Sequence, residues 1–129
     1  MSEEKKIALV IEDDKVQASC AIRIIEALGY EAHHVTTGEE AIDFFKKNKC
    51  SCALVDIGLA GKLKGYEAAK EMRQIEKNDD RKHCPMLAVT ANMSENEVKT
   101  YLANGLDDAY GKPITLAIIK EALEKYPPI

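Results

Sequence analysis

The chain is 129 residues long, 46% hydrophobic and 31% charged, a composition that supports one globular domain with its own core and excludes an intrinsically disordered chain. Acids outnumber bases by 22 to 18, for a net charge of −4, which argues against direct binding to a nucleic-acid backbone. No apolar run approaches the roughly 20 residues that span a bilayer, and no apolar signal region follows the N-terminal Met-Ser-Glu-Glu-Lys-Lys, so a cytoplasmic protein without membrane contact is expected.

Ile7–Ile11 is a continuous apolar run too short for a helix, which predicts a strand buried on both faces. The acids Glu12, Asp13 and Asp14 follow it. From Lys15 to Leu28, Val16, Cys20, Ile24 and Ala27 recur at helical spacing, and Gly29 stops the run. Glu31–Val35 is more polar, as an edge strand is, and its His33-His34 pair reads as exposed or half-buried. Thr37 is the expected N-cap of a second helix carrying Ala41, Phe44 and Phe45, with Glu40 completing a capping box.

Cys52–Ile57 is a second buried strand and contains Asp56. A third helix runs from about Gly65 through Ala69, Met72 and Ile75, and the mixed-charge stretch 78–82 reads as solvated surface. Met86–Ala91 is a further buried strand, with Thr90 near its end. A fourth helix begins after Ser94, with Glu97 three residues on, and carries Val98, Tyr101 and Leu102 before Gly105. Asp108–Lys112 is a short fifth strand bounded by Pro113. The fifth helix carries Ile118, Ile119, Ala122 and Leu123, and Pro127-Pro128 ends it.

Five strand–helix units predict an α/β, doubly wound three-layer sandwich around a parallel sheet, occupying 1–129 as one domain with a core of about 6–125 and no output domain after it. The cysteines Cys20, Cys50, Cys52 and Cys84 form no C-x-x-C pair and are expected to be buried or half-buried free thiols. In such a sheet the loops at the carboxyl ends of the strands build the site. Those ends hold Glu12, Asp13, Asp56, Thr90 and Lys112. The acids suit a hard divalent cation, and a carboxylate, a hydroxyl and an ammonium beside it suit a phosphoryl group.

Val10-Ile11-Glu12-Asp13-Asp14, Leu54-Val55-Asp56, Ala88-Val89-Thr90-Ala91, and Gly105-Leu106-Asp107-Asp108 followed by Lys112-Pro113-Ile114 resemble the receiver domain of bacterial two-component response regulators, the chemotaxis regulators among them. The resemblance spans nearly the whole chain and implies a flavodoxin-like five-stranded parallel sheet in order 2-1-3-4-5. It also implies Asp56 as phosphoacceptor, Thr90 as switch hydroxyl, Lys112 as the phosphoryl contact, and a cis Lys112–Pro113 bond. Mg2+ is then held by Asp13 directly, by Glu12 through water, by Asp56 and by the carbonyl of Gly58.

The implied function is a phosphorylation-dependent switch in a two-component system or phosphorelay, served by a histidine kinase or histidine phosphotransfer protein. It acts on a downstream protein, with homodimerisation on phosphorylation as an option, and turns over no separate substrate. Two departures stand out. The loop from Gly58 to Gly65 is one residue longer than the pattern and carries Lys62 and Lys64. The family's aromatic position, three before the lysine, is Ala109, with Tyr110 one place later.

Two other readings share the fold. An aspartate-nucleophile phosphatase needs a second Asp two residues past the nucleophile, where this chain has Gly58. A flavin carrier needs a phosphate loop after the first strand, where the acids Glu12, Asp13 and Asp14 stand.

Overall fold

The computed structural model describes residues 5–129, so the first four residues of the expected domain, which make up most of the polar N-terminal stretch, lie outside the described residues. Ten elements alternate along the chain: β1 (Ile7–Ile11), α1 (Lys15–Ala27), β2 (Glu31–Val35), α2 (Gly38–Lys47), β3 (Cys52–Asp56), α3 (Gly65–Asn78), β4 (Met86–Thr90), α4 (Glu95–Ala103), β5 (Asp108–Gly111) and α5 (Leu116–Lys125). The strands form one parallel sheet in the order β2-β1-β3-β4-β5, the doubly wound order expected. β1, β3 and β4 are covered on both sides, which is why they read as unbroken apolar runs. β2 is an edge, and its alternating burial matches its polar sequence.

Successive strand residues face opposite layers. Leu9, Ile11, Ala53, Val55, Met86 and Ala88 pack with residues of α2, α3 and α4. Ala8, Val10, Cys52, Leu54, Leu87 and Val89 pack with residues of α1 and α5. β3, β4 and β5 each stop one residue short of the stretch expected for them, Cys52–Ile57, Met86–Ala91 and Asp108–Lys112.

Several sequence expectations are corrected. α1 turns Ala18, Ala21, Ile24 and Ile25 inward, whereas Val16, Cys20 and Ala27 are exposed, so Cys20 is not the buried or half-buried thiol expected. Alanine contributes little to an apolar pattern but lets a helix lie close to the sheet, so the small stripe won over the larger side chains. Cys50, Cys52 and Cys84 are buried, and burial pushes the thiols of Cys50 and Cys52 up to about 12. Leu102 faces solvent. Ser94 precedes α4 without a side-chain capping bond, and its own N–H donates to Asn92 Oδ1 at 3.0 Å.

Arg81 in the stretch 78–82 is not solvated surface. Its guanidinium donates to the carbonyls of Phe45 at 2.6 Å and Lys46 at 2.9 Å, satisfying groups that the end of α2 leaves unpaired, and lies 5.3 Å from the Phe45 ring centroid.

A second polar network closes the amino-terminal end of β4. Arg73 on α3 donates to the Gly105 carbonyl at 2.8 Å, to Glu76 at 2.7 Å and to Asp107 at 2.9 Å. Asp107 in turn accepts from the Met86 N–H at 2.8 Å. Gly105 is required twice: its φ is +104°, and a Cβ there would meet Arg73 Cγ at 2.6 Å. No helix among the described residues is long and apolar enough to cross a membrane.

Candidate functional site

The parallel ladder continues one residue past three strand ends and thereby fixes the site. Glu12 N–H donates to the Val35 carbonyl at 3.0 Å, Ile57 N–H to the Val89 carbonyl at 3.2 Å, and Lys112 N–H to the Thr90 carbonyl at 2.8 Å. Glu12, Asp56 and Lys112 are therefore placed by sheet backbone rather than by flexible loops. All three meet at the carboxyl edge, where Lys112 Nζ lies 3.0 Å from Asp56 Oδ1 and 3.2 Å from Glu12 Oε1. The Lys112–Pro113 bond is cis.

Glu12, Asp13 and Asp56 each offer a carboxylate oxygen, and these oxygens lie within 4.8 Å of one another. Glu12 and Asp56 are buried, at 6% and 5% exposure. Burial, then the hydrogen bond with Asp56, raises the Glu12 carboxyl to about 7 from an ordinary 4.5. Asp13 is more open, and the Ala60 N–H bonded to it at 2.8 Å holds it below the usual aspartate range. Burial alone would lower Lys112, but its hydrogen bond with Asp56 and the attraction of both acids outweigh that, and its pKa is raised.

Asp14 is not one of the three converging carboxylates and caps α1, accepting the Gln17 N–H at 2.9 Å. Gly58 sits in the loop after β3, where its N–H donates to Asp56 Oδ1 at 3.2 Å. Thr90 is buried, and its Oγ1 accepts the Asn92 N–H at 3.0 Å. An open cavity of about 600 Å3 is lined by Glu12, Asp13, Asp56, Gly58, Thr90 and Lys112, so the structure gathers every site residue expected from the sequence around one space.

Three further residues of this wall were not read as part of the site. Tyr101 reaches in from α4 and donates to the Asn92 carbonyl at 3.2 Å. Tyr66 lies beside it, with ring centroids 6.2 Å apart. Lys64 lines the same cavity from the end of the β3–α3 loop. Ala109 packs in the layer that contains Tyr101, whereas Tyr110 packs in the opposite layer and donates to Asp108 Oδ2 at 3.2 Å. Among the described residues the histidines make no metal group: His33 stacks on Phe44 at 3.7 Å, His34 bonds the Glu12 carbonyl at 2.7 Å, and His83 pairs with Asp107 at 2.7 Å.

A three-carboxylate cluster beside a shared ammonium offers hard oxygen donors to a small divalent cation and, at Asp56, a nucleophile next to positive charge. Comparison with known proteins agrees with that chemistry. The family model described as the response regulator receiver domain matches residues 8–124. The sensor histidine kinase RcsC of Escherichia coli (strain K12) is 28% identical over 118 residues, covering 92% of this chain and 12% of that protein. The chain spans between 6% and 13% of the sensor and hybrid histidine kinases first among its relatives.

Among solved structures, the receiver domain of sensor histidine kinase PA1611 from Pseudomonas aeruginosa PAO1, with a magnesium ion in its active-site cleft, superposes with a TM-score of 0.84 at 26% identity, covering 95% of this chain and 98% of that one. The co-crystal of the Saccharomyces cerevisiae phosphotransfer protein Ypd1 with the Ssk1 receiver domain matches with a TM-score of 0.86, covering 95% of this chain and 88% of that one, and at 22% identity shows likeness of fold.

Proposed function

The chain belongs to the response regulator receiver domain family, and from that premise we propose that it is a phosphorylation-dependent switch whose acceptor is Asp56. The observation that carries this reading is the placement of Asp56 and Glu12 on one ammonium, Lys112 Nζ, at the carboxyl edge of the sheet.

Mg2+ is the metal that the donor set fits. Three carboxylate oxygens converge, one of them on a group whose burial keeps it part-protonated near neutrality, so a cation restores the charge that the fold withholds. Asp13, Asp56 and the Gly58 carbonyl would hold it directly, and Glu12 through water. Bound there, the ion supplies positive charge against the phosphoryl oxygens.

An Asp56 carboxylate oxygen attacks phosphorus. The new bond is an acyl phosphate, and the bond from phosphorus to the donor's nitrogen or oxygen breaks, its electron pair leaving with the donor. Lys112 pairs with a phosphoryl oxygen once its share of Asp56 charge is lost, and the Thr90 hydroxyl donates to another. Hydrolysis of the acyl phosphate resets the site, and no separate metabolite is turned over.

A histidine kinase or histidine phosphotransfer protein is the donor. A downstream protein reads the change, either bound by a monomer or by a homodimer formed on phosphorylation, and the setting is cytoplasmic. The first partner class is supported by the chain's likeness to part of a sensor histidine kinase and by the Ypd1–Ssk1 complex as a fold relative.

The test is labelling by acetyl phosphate with Mg2+. Wild type takes up label, Asp56→Asn does not, and EDTA stops the reaction. Label retained by Asp56→Asn at the wild-type rate overturns the assignment.

A further inference from the structure

The site carries Glu12, Asp13 and Asp56, and among the described residues one ammonium, Lys112, is in contact with them, shared by Glu12 and Asp56. The other lysine on the cavity wall is Lys64. Its backbone is held close to the acceptor. The next residue, Gly65, donates its N–H to the Ile57 carbonyl at 3.2 Å, and a Cβ at Gly65 would overlap the carbonyl oxygen of Asp56 itself. The Lys64 N–H is bonded to Glu67 Oε1 at 2.8 Å, which starts α3 at this point. The anchor is therefore rigid, while the side chain is exposed and joins no ion pair among the described residues. Lys62, in the same loop, does not line the cavity.

We infer that Lys64 is a second cationic contact for the transferred phosphoryl group, reaching it from the β3–α3 loop while Lys112 reaches it from the end of β5. The inference rests on the reading of Asp56 as acceptor. A phosphoryl group brings about two negative charges while bond formation removes the one on Asp56, so a site whose carboxylates and metal already balance Lys112 is left with about one negative charge in excess. An anchored lysine on the cavity wall, exposed and in no ion pair among the described residues, meets that excess without losing its water until the anion arrives. Before then, the same ammonium opposes entry of Mg2+. Lys64 therefore acts with opposite sign on the two ligands of one site, which a purely structural role of the loop would not do.

The experiment measures Mg2+ affinity by calorimetry, then beryllofluoride affinity and the rate of phosphorylation by acetyl phosphate at saturating Mg2+. It compares wild type with Lys64→Ala, Lys64→Arg and Lys62→Ala. Lys64→Ala is expected to weaken beryllofluoride binding and slow phosphorylation by about two- to fivefold, and to tighten Mg2+ binding by a similar factor, as suits a solvent-facing charge. Lys64→Arg restores both, Lys62→Ala changes neither, and raising the salt concentration shrinks the Lys64→Ala effect. Anion and metal affinities that fall together, no change in either, or an equal effect from Lys62→Ala would overturn the proposal. Asp56→Asn, run alongside, separates the cases: label uptake by that variant removes the acceptor reading itself.

Discussion

The hydroxyl of Tyr101 lies 3.5 Å from Thr90 Oγ1, joining a buried α4 side chain to the hydroxyl at the end of β4. Tyr101 is 1% exposed and shares its layer with Ala109, the position where the family pattern has an aromatic ring. The ring near Thr90 thus comes from α4 rather than from β5. Tyr110 is held in the other layer, where its hydroxyl shares Asp108 Oδ2 with that of Tyr126. For Thr90 to donate to a phosphoryl oxygen it must turn from Tyr101 and Asn92.

Tyr101→Phe removes one side of that competition. The variant is expected to lose about 1 kcal/mol of stability, because the Asn92 carbonyl loses its 3.2 Å donor, and to bind beryllofluoride about two- to fivefold more tightly. Denaturant unfolding and a beryllofluoride titration check the two halves. Weaker beryllofluoride binding by Tyr101→Phe would show that the hydroxyl supports the activated state instead.

Glu12 makes the metal-free protein sensitive to pH. Its folded carboxyl titrates at about 7, above the ordinary 4.5, so between those values the folded state holds a proton that the unfolded chain has released. Stability from this group is complete below pH 4.5 and declines as pH rises to about 7. Asp13, with its lowered pKa, works the other way, and its contribution is lost as pH falls through its folded value. In EDTA at pH 8, Glu12→Gln is expected to be more stable than wild type by on the order of 2 kcal/mol, with little difference at pH 4. Mg2+ should narrow the gap at pH 8. Equal stability of the two proteins at pH 8 in EDTA would contradict the burial of an ionised Glu12.

Gly65 joins the acceptor strand to α3. An added Cβ overlaps the Asp56 carbonyl oxygen and stands 2.9 Å from Ile57 Cα, both rigid backbone. Gly65→Ala is expected to destabilise the fold by about 2–4 kcal/mol, because the steric cost exceeds the roughly 1 kcal/mol that alanine gains in helix propensity. Phosphorylation should slow as well, since relief of the overlap moves Asp56. Thermal unfolding together with acetyl phosphate labelling measures both, and an unchanged melting temperature would rule out the close approach.

The sheet was legible because three of its strands are covered on both faces and so read as unbroken apolar runs. Glu12 and Asp56 were legible for a related reason: one follows and the other ends such a run, while Lys112 closes the weaker Asp108–Lys112 stretch before Pro113, and a parallel sheet gathers those ends at one edge. The buried face of α1 was not, because Ala18 and Ala21 contribute little to an apolar pattern while exposed Val16 contributes much.

Arg73 and Arg81 were missed for a different reason. Charged residues on a helix or in a polar loop read as solvated, and what recruits them lies far along the chain: Gly105 and Asp107 for Arg73, the end of α2 for Arg81. Tyr101 read as a core or interface position on a helix and is buried, but helical spacing carries no information about where a buried hydroxyl points.

The proposed switch requires one carboxylate, Asp56, to receive the phosphoryl group. Borohydride reduction of the protein after reaction with acetyl phosphate and Mg2+, followed by peptide mass spectrometry, locates the acyl phosphate directly. Reduction converts an aspartyl phosphate to homoserine. Homoserine at position 56 alone, absent when EDTA is present, is the predicted result. Homoserine at position 13 or 14, or an unmodified position 56 in protein that carries label, would contradict it.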